Sequence, residues 1–248
     1  MKFSGLSPED RFKILNEFLG WGNPDGPLWF IGLEEAEKWK EDPLRDEEMY
    51  ERYAKKIFPV TPGEIARDAR RSGRRFTQVY EVMSKLTLAL IGQDEAALEH
   101  WEEYRNEKLL IDGGLTFQMN LYPLGKKRLD EWPKHYRSVF GFGREDLDRY
   151  REGVKKERFR LLRNEWERHQ PRLTVCFGRT GWDDFEEFFK GRLDREAEGL
   201  EFCKVFRISG RGVVLTPFFW RPSMTNKKIL DLAALLTRLF PLSPENPR

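Results

Sequence analysis

Short apolar runs alternate with longer amphipathic stretches along most of the chain. A short, nearly continuous hydrophobic run is typical of a buried parallel strand, whereas apolar residues at helical spacing indicate an amphipathic helix. The pattern predicts strands at 28–32, 115–119, 173–177, 202–208 and 213–215. Their alternation with helices predicts a three-layer α/β/α domain.

Boundary signals divide the chain further. Ser7 before Pro8 and Thr225 before the last amphipathic stretch are typical helix caps. We predict one α/β domain over residues 1–240, with a helical insertion at about 34–110. The proline-rich end, 241–248, is predicted to be a flexible tail.

Polar and aromatic side chains follow the predicted strands. Right-handed crossovers place the carboxyl ends of parallel strands on one sheet edge, where α/β proteins bind ligands. The side chains expected at this edge are Glu34, Glu35, Asn120, Tyr122, Arg179, Thr216, Phe218, Phe219 and Trp220. Acids, an amide, an arginine and aromatics in one place predict a binding cleft.

Each of these signals also has a structural interpretation. Glu34 and Glu35 could orient a water or stabilise a developing cation, or could be favourable charges in a first helical turn. Asn120 could hydrogen-bond the edge of a pyrimidine or form a turn. The three consecutive aromatics at 218–220 could stack on a ligand or pack over the sheet edge.

Charge changes the picture only locally. The chain has 44 lysines and arginines against 42 acids, so its net charge indicates no particular partner. One basic segment contains Arg67, Arg70, Arg71, Arg74 and Arg75, with only Asp68 opposing them. This segment, and the basic loop with Lys126 and Lys127, could contact phosphates. A solvated helix face is the alternative for the arginines.

Other chemistry is disfavoured. Cys176 and Cys203 lie in predicted strands and are too few for four-cysteine zinc or iron–sulfur sites, so we expect reduced core thiols and no cofactor. The three histidines show no metal-ligand spacing. Neither a signal peptide nor an apolar run of about 18 residues is present. We therefore expect a soluble, cytoplasmic protein that does not bind membranes.

Four strand-end segments, taken in order, resemble the uracil-DNA glycosylase superfamily, and within it the single-strand-selective monofunctional type. The segments are Trp-Phe-Ile-Gly-Leu-Glu at 29–34, Asn-Leu-Tyr-Pro-Leu at 120–124, Val-Cys-Phe-Gly-Arg at 175–179 and Val-Leu-Thr-Pro at 214–217. They are similar to that family's Phe-Ile-Gly-Met-Asn-Pro-Gly motif, its Asn-x-x-Pro-Leu segment, its strand ending in Gly-Arg and its His-Pro-Ser motif.

The resemblance implies a mainly parallel, four-stranded central sheet and a base flipped out of the nucleic-acid stack. It gives Glu34 the role of positioning the attacking water and Asn120 that of recognising the base. Thr216 takes the place of the family histidine that stabilises the departing base. Because threonine offers no imidazole, transition-state stabilisation is expected to be weaker.

Three functions follow as hypotheses. The first is a glycosylase-like protein that binds DNA, single-stranded DNA included, or a nucleobase or nucleotide, and cleaves the N-glycosidic bond of a modified base. The second is a non-catalytic nucleic-acid-binding or interaction protein with the same fold. The third is a small-molecule hydrolase that uses Glu34 and Glu35.

Overall fold

The structure, a computed structural model, describes residues 7–34, 55–58, 60–67, 74–92, 94–125, 132–190, 193 and 196–242. These residues form a mixed α/β fold with one sheet and several helices. The chain divides into two compact units. Unit 1 consists of Met1–Gly20, Gly32–Phe58 and Met119–Arg168, and unit 2 of Trp21–Ile31, Pro59–Gln118 and His169–Arg248.

Eight strands form the sheet in the described part of the chain, in the order β3-β1-β4-β2-β5-β8-β7-β6. Their bounds are β1 Gly20–Gly22, β2 Leu28–Gly32, β3 Ile57–Phe58, β4 Thr116–Asn120, β5 Leu173–Phe177, β6 Glu196–Leu200, β7 Cys203–Ile208 and β8 Arg211–Thr216. Every residue of β2, β4, β5 and β8 is buried. Burial on both faces explains why β2, β5 and β8 are mainly apolar in the sequence. In β4 the polar residues Thr116, Gln118 and Asn120 alternate with Phe117 and Met119.

The centre of the sheet is parallel. β5 runs parallel to β2 and to β8, with Ile31 opposite Cys176 and Cys176 opposite Leu215. β4 runs the same way as β2, because Leu28 N donates to Leu115 O near their beginnings and Leu121 N donates to Gly32 O at their ends. The carboxyl ends of β2, β5 and β8 therefore lie on one edge.

The predicted sheet of four strands is too small. β1 pairs antiparallel with β4, while β7 and β6 extend the other side as antiparallel strands. A hairpin joins β7 and β8, with Ser209 and Gly210 at positive φ in its turn. β1 and β3 were missed because three and two residues are too short for a recognisable pattern.

The helices are α1 Pro8–Phe12, α2 Arg74–Leu90, α3 Trp101–Glu107, α4 Tyr136–Phe140, α5 Leu147–His169, α6 Trp182–Phe188 and α7 Asn226–Leu239. Two predicted caps are confirmed: Ser7 Oγ accepts from Asp10 N, and Thr225 Oγ1 accepts from Lys228 N. α1 continues as a π-helical turn at Lys13–Glu17. In unit 2, α7 packs on α2 and buries Ile229 and Leu232.

The predicted domain of residues 1–240 and its insertion stay predictions, because residues 35–54 lie outside the described residues. The same is true of 243–248 in the predicted tail. Within the residues that are described, no helix is both long and apolar enough to cross a membrane.

Candidate functional site

Two predicted strand-end segments meet in unit 1. Leu121 N donates to Gly32 O at 3.0 Å, and Tyr122 N donates to Leu33 O at 2.7 Å. These bonds continue the pairing of β2 and β4 past the ends of the strands. They place the segment that carries Glu34 beside the segment that carries Asn120 and Tyr122.

Asn120 is the most informative residue of this site. It is only 6% exposed. Its backbone carbonyl accepts a hydrogen bond from Arg158 at 2.9 Å, but its side-chain amide makes no hydrogen bond within the described part of the chain. Nearly buried polar groups usually have a partner. The amide therefore has a donor and an acceptor that the described residues do not use.

Glu34 stands close to a buried tyrosine. Burial raises the pKa of Tyr150 well above its usual value, and the negative charge of Glu34 adds to the rise. The hydrogen bond from Leu124 N to the Tyr150 hydroxyl, 3.3 Å long, and the charge of Arg158 lower that pKa.

Aromatic rings form the wall next to these groups. Tyr122 is buried, and its ring centroid lies 6.4 Å from that of Tyr150 and 5.7 Å from that of Phe159. Trp132 lies 5.2 Å from Tyr150, measured between ring centroids. This cluster gives the strand ends of unit 1 a rigid, apolar side.

Arg158 supports the site and was not predicted from the sequence. It is 1% exposed and donates to four backbone carbonyls. Nε donates to Leu121 at 3.0 Å, Nη2 to Asn120 at 2.9 Å, and Nη1 to Phe18 at 2.6 Å and to Asn16 at 3.4 Å. A signal was available in α5, where every fourth residue is buried. The residues at this spacing are Tyr150, Val154, Arg158, Leu162 and Trp166.

In unit 2, Thr216 ties two strands together. It is fully buried, and its hydroxyl lies 3.2 Å from the carbonyl oxygen of Cys176 and 3.1 Å from that of Pro217. Its own carbonyl accepts from Gly178 N and from the indole of Trp182. These contacts give Thr216 a structural role, and its predicted catalytic role stays a prediction.

The three aromatics after β8 have different environments. Phe219 is fully buried and stacks on Phe177 with 4.6 Å between ring centroids. Phe218 is half-buried, 6.1 Å from Phe177, and Trp220 is 44% exposed. Packing over the sheet edge therefore explains Phe219, whereas Trp220 offers its ring to solvent.

Arg179 follows β5 and is exposed. Its guanidinium carbon lies 5.4 Å from the ring centroid of Trp182, and Lys204 Nζ lies 5.3 Å from the same centroid. Such cation–π contacts hold the charges in place without neutralising them. Arg179 thus stays available to an anion at the strand ends of unit 2.

The predicted basic segment is described only in part. Arg67 is exposed and forms an ion pair with Glu64 at 3.6 Å. Arg74 and Arg75 lie in the first turn of α2. The other predicted residues outside the described part are Glu35, Arg70, Arg71, Lys126 and Lys127.

The predicted residues fall into two groups. Glu34, Asn120 and Tyr122 belong to unit 1; Arg179, Thr216 and the aromatics at 218–220 belong to unit 2. A common cleft for both groups stays a prediction.

Among the described residues, no cluster of three or more His, Cys, Asp or Glu side chains is placed to hold a metal ion. The two cysteines are buried and reduced, as predicted, and burial raises the pKa of Cys176 well above its usual value.

Comparison with known proteins adds no family. No protein-family model matches the chain, and a search of curated proteins finds no match. A functional hypothesis therefore depends on the residues themselves.

Proposed function

We propose that this protein is a divergent uracil-DNA-glycosylase-like protein that binds nucleic acid and holds one base at Asn120 and Glu34. The observation that carries the proposal is the side-chain amide of Asn120, nearly buried and without a hydrogen-bond partner in the described residues. An amide can donate to a carbonyl of a base and accept from its ring N–H at the same time. This is the pairing that a pyrimidine edge offers.

The sheet supports the same proposal. The strands β4, β2, β5 and β8 form a parallel centre within the eight-stranded sheet of the described residues, and this parallel arrangement supports the proposal. All four resembling segments lie at or near the carboxyl ends of these central strands.

Glu34 is the group that would act on a bound nucleotide. In glycosidic cleavage the bond between the sugar carbon and the base nitrogen breaks, and its electron pair leaves with the base. Water then adds to the sugar carbon and gives up a proton. A carboxylate beside the base stabilises the cation-like sugar and accepts that proton.

Thr216 favours a second candidate, a binding protein without catalysis. The resemblance places the group that stabilises the departing base at this position. The Thr216 hydroxyl is buried, within hydrogen-bond distance of two backbone carbonyls, and those contacts engage its single proton. Catalysis would then lack the donor that the leaving base needs.

A product assay tests the enzymatic hypothesis and separates the two candidates. The protein is incubated with single- and double-stranded oligonucleotides that carry uracil or hypoxanthine, and abasic product is measured after alkaline cleavage. A catalyst gives product that disappears in Glu34→Gln and persists in Glu152→Gln, a control on the exposed face of α5. If the protein binds the oligonucleotides but forms no product from any of them, the second candidate, a binding protein without catalysis, is supported.

The same experiment can contradict both candidates. If neither binding nor product is observed with any oligonucleotide or free base, the proposed function is wrong. If product forms equally in Glu34→Gln, the catalytic group is not Glu34.

A further inference from the structure

A buried ion pair lies on α2, in unit 2. Glu81 is 4% and Lys85 is 7% exposed. Lys85 Nζ donates to Glu81 Oε1 and to Asn226 Oδ1, each at 2.9 Å, and lies 6.0 Å from the ring centroid of Trp101. Because Asn226 begins α7, this pair fixes the end of the loop between β8 and α7.

A second cation reaches the same carboxylate. Arg221 Nε donates to Glu81 Oε2 at 3.2 Å, although the Arg221 side chain is 63% exposed. Lys85 already balances the charge of Glu81, so Arg221 brings a surplus positive charge. Within the described part of the chain, its two terminal nitrogens have no partner. A guanidinium held at Nε presents a fixed fork of donors, which matches a phosphate group.

The residue that precedes Arg221 in the sequence is an exposed aromatic. Trp220 is among the few large apolar residues that are strongly exposed in the described structure. Its indole donates to Ser223 Oγ, and its carbonyl accepts from Ser223 N at 3.0 Å and from Met224 N at 2.9 Å. Met224 is buried. The turn from Trp220 to Met224 is thus fixed at both ends, so little conformational freedom would be lost when a ligand binds to it.

We propose that Trp220 and Arg221 form a nucleotide-contact site for a single-stranded nucleic acid, in which Trp220 stacks on a base and Arg221 binds an adjacent phosphate. Single strands expose the faces of their bases, and aromatic stacking combined with cations is how such strands are held. The choice of nucleic acid as the ligand rests on the proposed function. The site is additional to Asn120 and Glu34 and should not depend on which base is present.

The test is the affinity for an unmodified, fluorescently labelled oligothymidine strand, measured by anisotropy at several salt concentrations. The variants are Arg221→Ala, Trp220→Ala and, as a matched control, Arg172→Ala. Arg172 is an exposed arginine at the amino end of β5, so its loss removes the same charge from the opposite edge of the sheet. Arg221→Lys keeps the charge but loses the fork.

We expect Trp220→Ala and Arg221→Ala to weaken binding about five-fold or more, as the loss of one stacked base or one phosphate contact does. Arg221→Ala should also lower the slope of log K against log salt by about 0.7, the value for one phosphate of a single strand. Arg221→Lys should weaken binding with the slope unchanged. Arg172→Ala should change the affinity less than about two-fold, because a distant surface charge is largely screened.

Two results would overturn the inference in distinguishable ways. If Arg221→Ala and Trp220→Ala bind as Arg172→Ala does, the contact site is wrong and the proposed function stands. If the unaltered protein does not bind the strand, the site is wrong as well. The Asn120 hypothesis is then tested separately, with free bases.

Discussion

Replacing Arg158 by methionine tests whether this arginine holds the candidate base site in place. The substitution keeps a long side chain in the core of unit 1 but removes all its donors. Three of the four carbonyls that it contacts, those of Phe18, Asn120 and Leu121, then lose a charged partner in a buried environment. Each buried acceptor left without a partner costs about 1 kcal/mol or more.

Together, the lost contacts should lower the free energy of unfolding by about 3–5 kcal/mol, the usual cost of removing one partner of a buried charged network. That is a large fraction of the roughly 5–15 kcal/mol by which a domain is stable. Urea denaturation followed by tryptophan fluorescence should show the midpoint falling by about 1 M or more. Hydrogen exchange should report lost protection at the amides of Leu121 and Tyr122, which bond to the segment that leads to Glu34.

Arg160→Met is the matched control for this prediction. Arg160 lies two residues along the same helix, is 55% exposed and pairs with Glu157 at 3.4 Å. Its replacement should change the free energy of unfolding by less than about 0.5 kcal/mol. If Arg158→Met is no more destabilising than this control, the carbonyl contacts of Arg158 do not stabilise the site and the reasoning is wrong.

Two further predictions concern Thr216 and Tyr150. Thr216→Val should lower the free energy of unfolding by about 1 kcal/mol in a urea titration, because one buried hydrogen bond is lost, and should leave nucleic-acid affinity unchanged. If the variant instead loses product formation while its stability stays normal, Thr216 has a catalytic role. Because the pKa of Tyr150 is raised in the fold, the unfolded chain loses this proton first, so stability should fall as pH rises above about 10, the value of an unperturbed tyrosine. Tyr150→Phe should reduce that fall, measured as the free energy of unfolding at several alkaline pH values; an unchanged dependence would show that Tyr150 is not buried as described.

The parallel centre of the sheet was predictable because it is buried on both faces. β2, β5 and β8 are mainly apolar in the sequence, whereas β4 carries Thr116, Gln118 and Asn120 on one face although all its residues are buried. The outer strands carry no such signal. β1 contains two glycines in three residues, and β6 reads Glu-Ala-Glu-Gly-Leu, so its pairing with β7 comes from tertiary structure.

The candidate site was predictable at the level of position. The rule that ligands bind beyond the carboxyl ends of parallel strands led to Glu34 and Asn120, and the hydrogen bonds between their segments agree with it. Individual environments were not predictable. Nothing in three consecutive aromatics tells that Phe219 is buried while Trp220 is exposed. For Arg158 the available signal is its place in the four-residue spacing of α5, and its charge obscured that signal.

The proposal that Asn120 recognises a base is tested most directly by one affinity comparison. Single strands identical except for one central base, either unmodified, uracil or hypoxanthine, are titrated with the unaltered protein and with Asn120→Ala. We predict that the strand with one of the altered bases binds about ten-fold more tightly than the unmodified strand, which corresponds to one well-placed polar contact. Asn120→Ala should remove this preference and keep the affinity for the unmodified strand. Equal affinity for all strands in the unaltered protein, or a preference that survives in Asn120→Ala, would contradict the proposed base site.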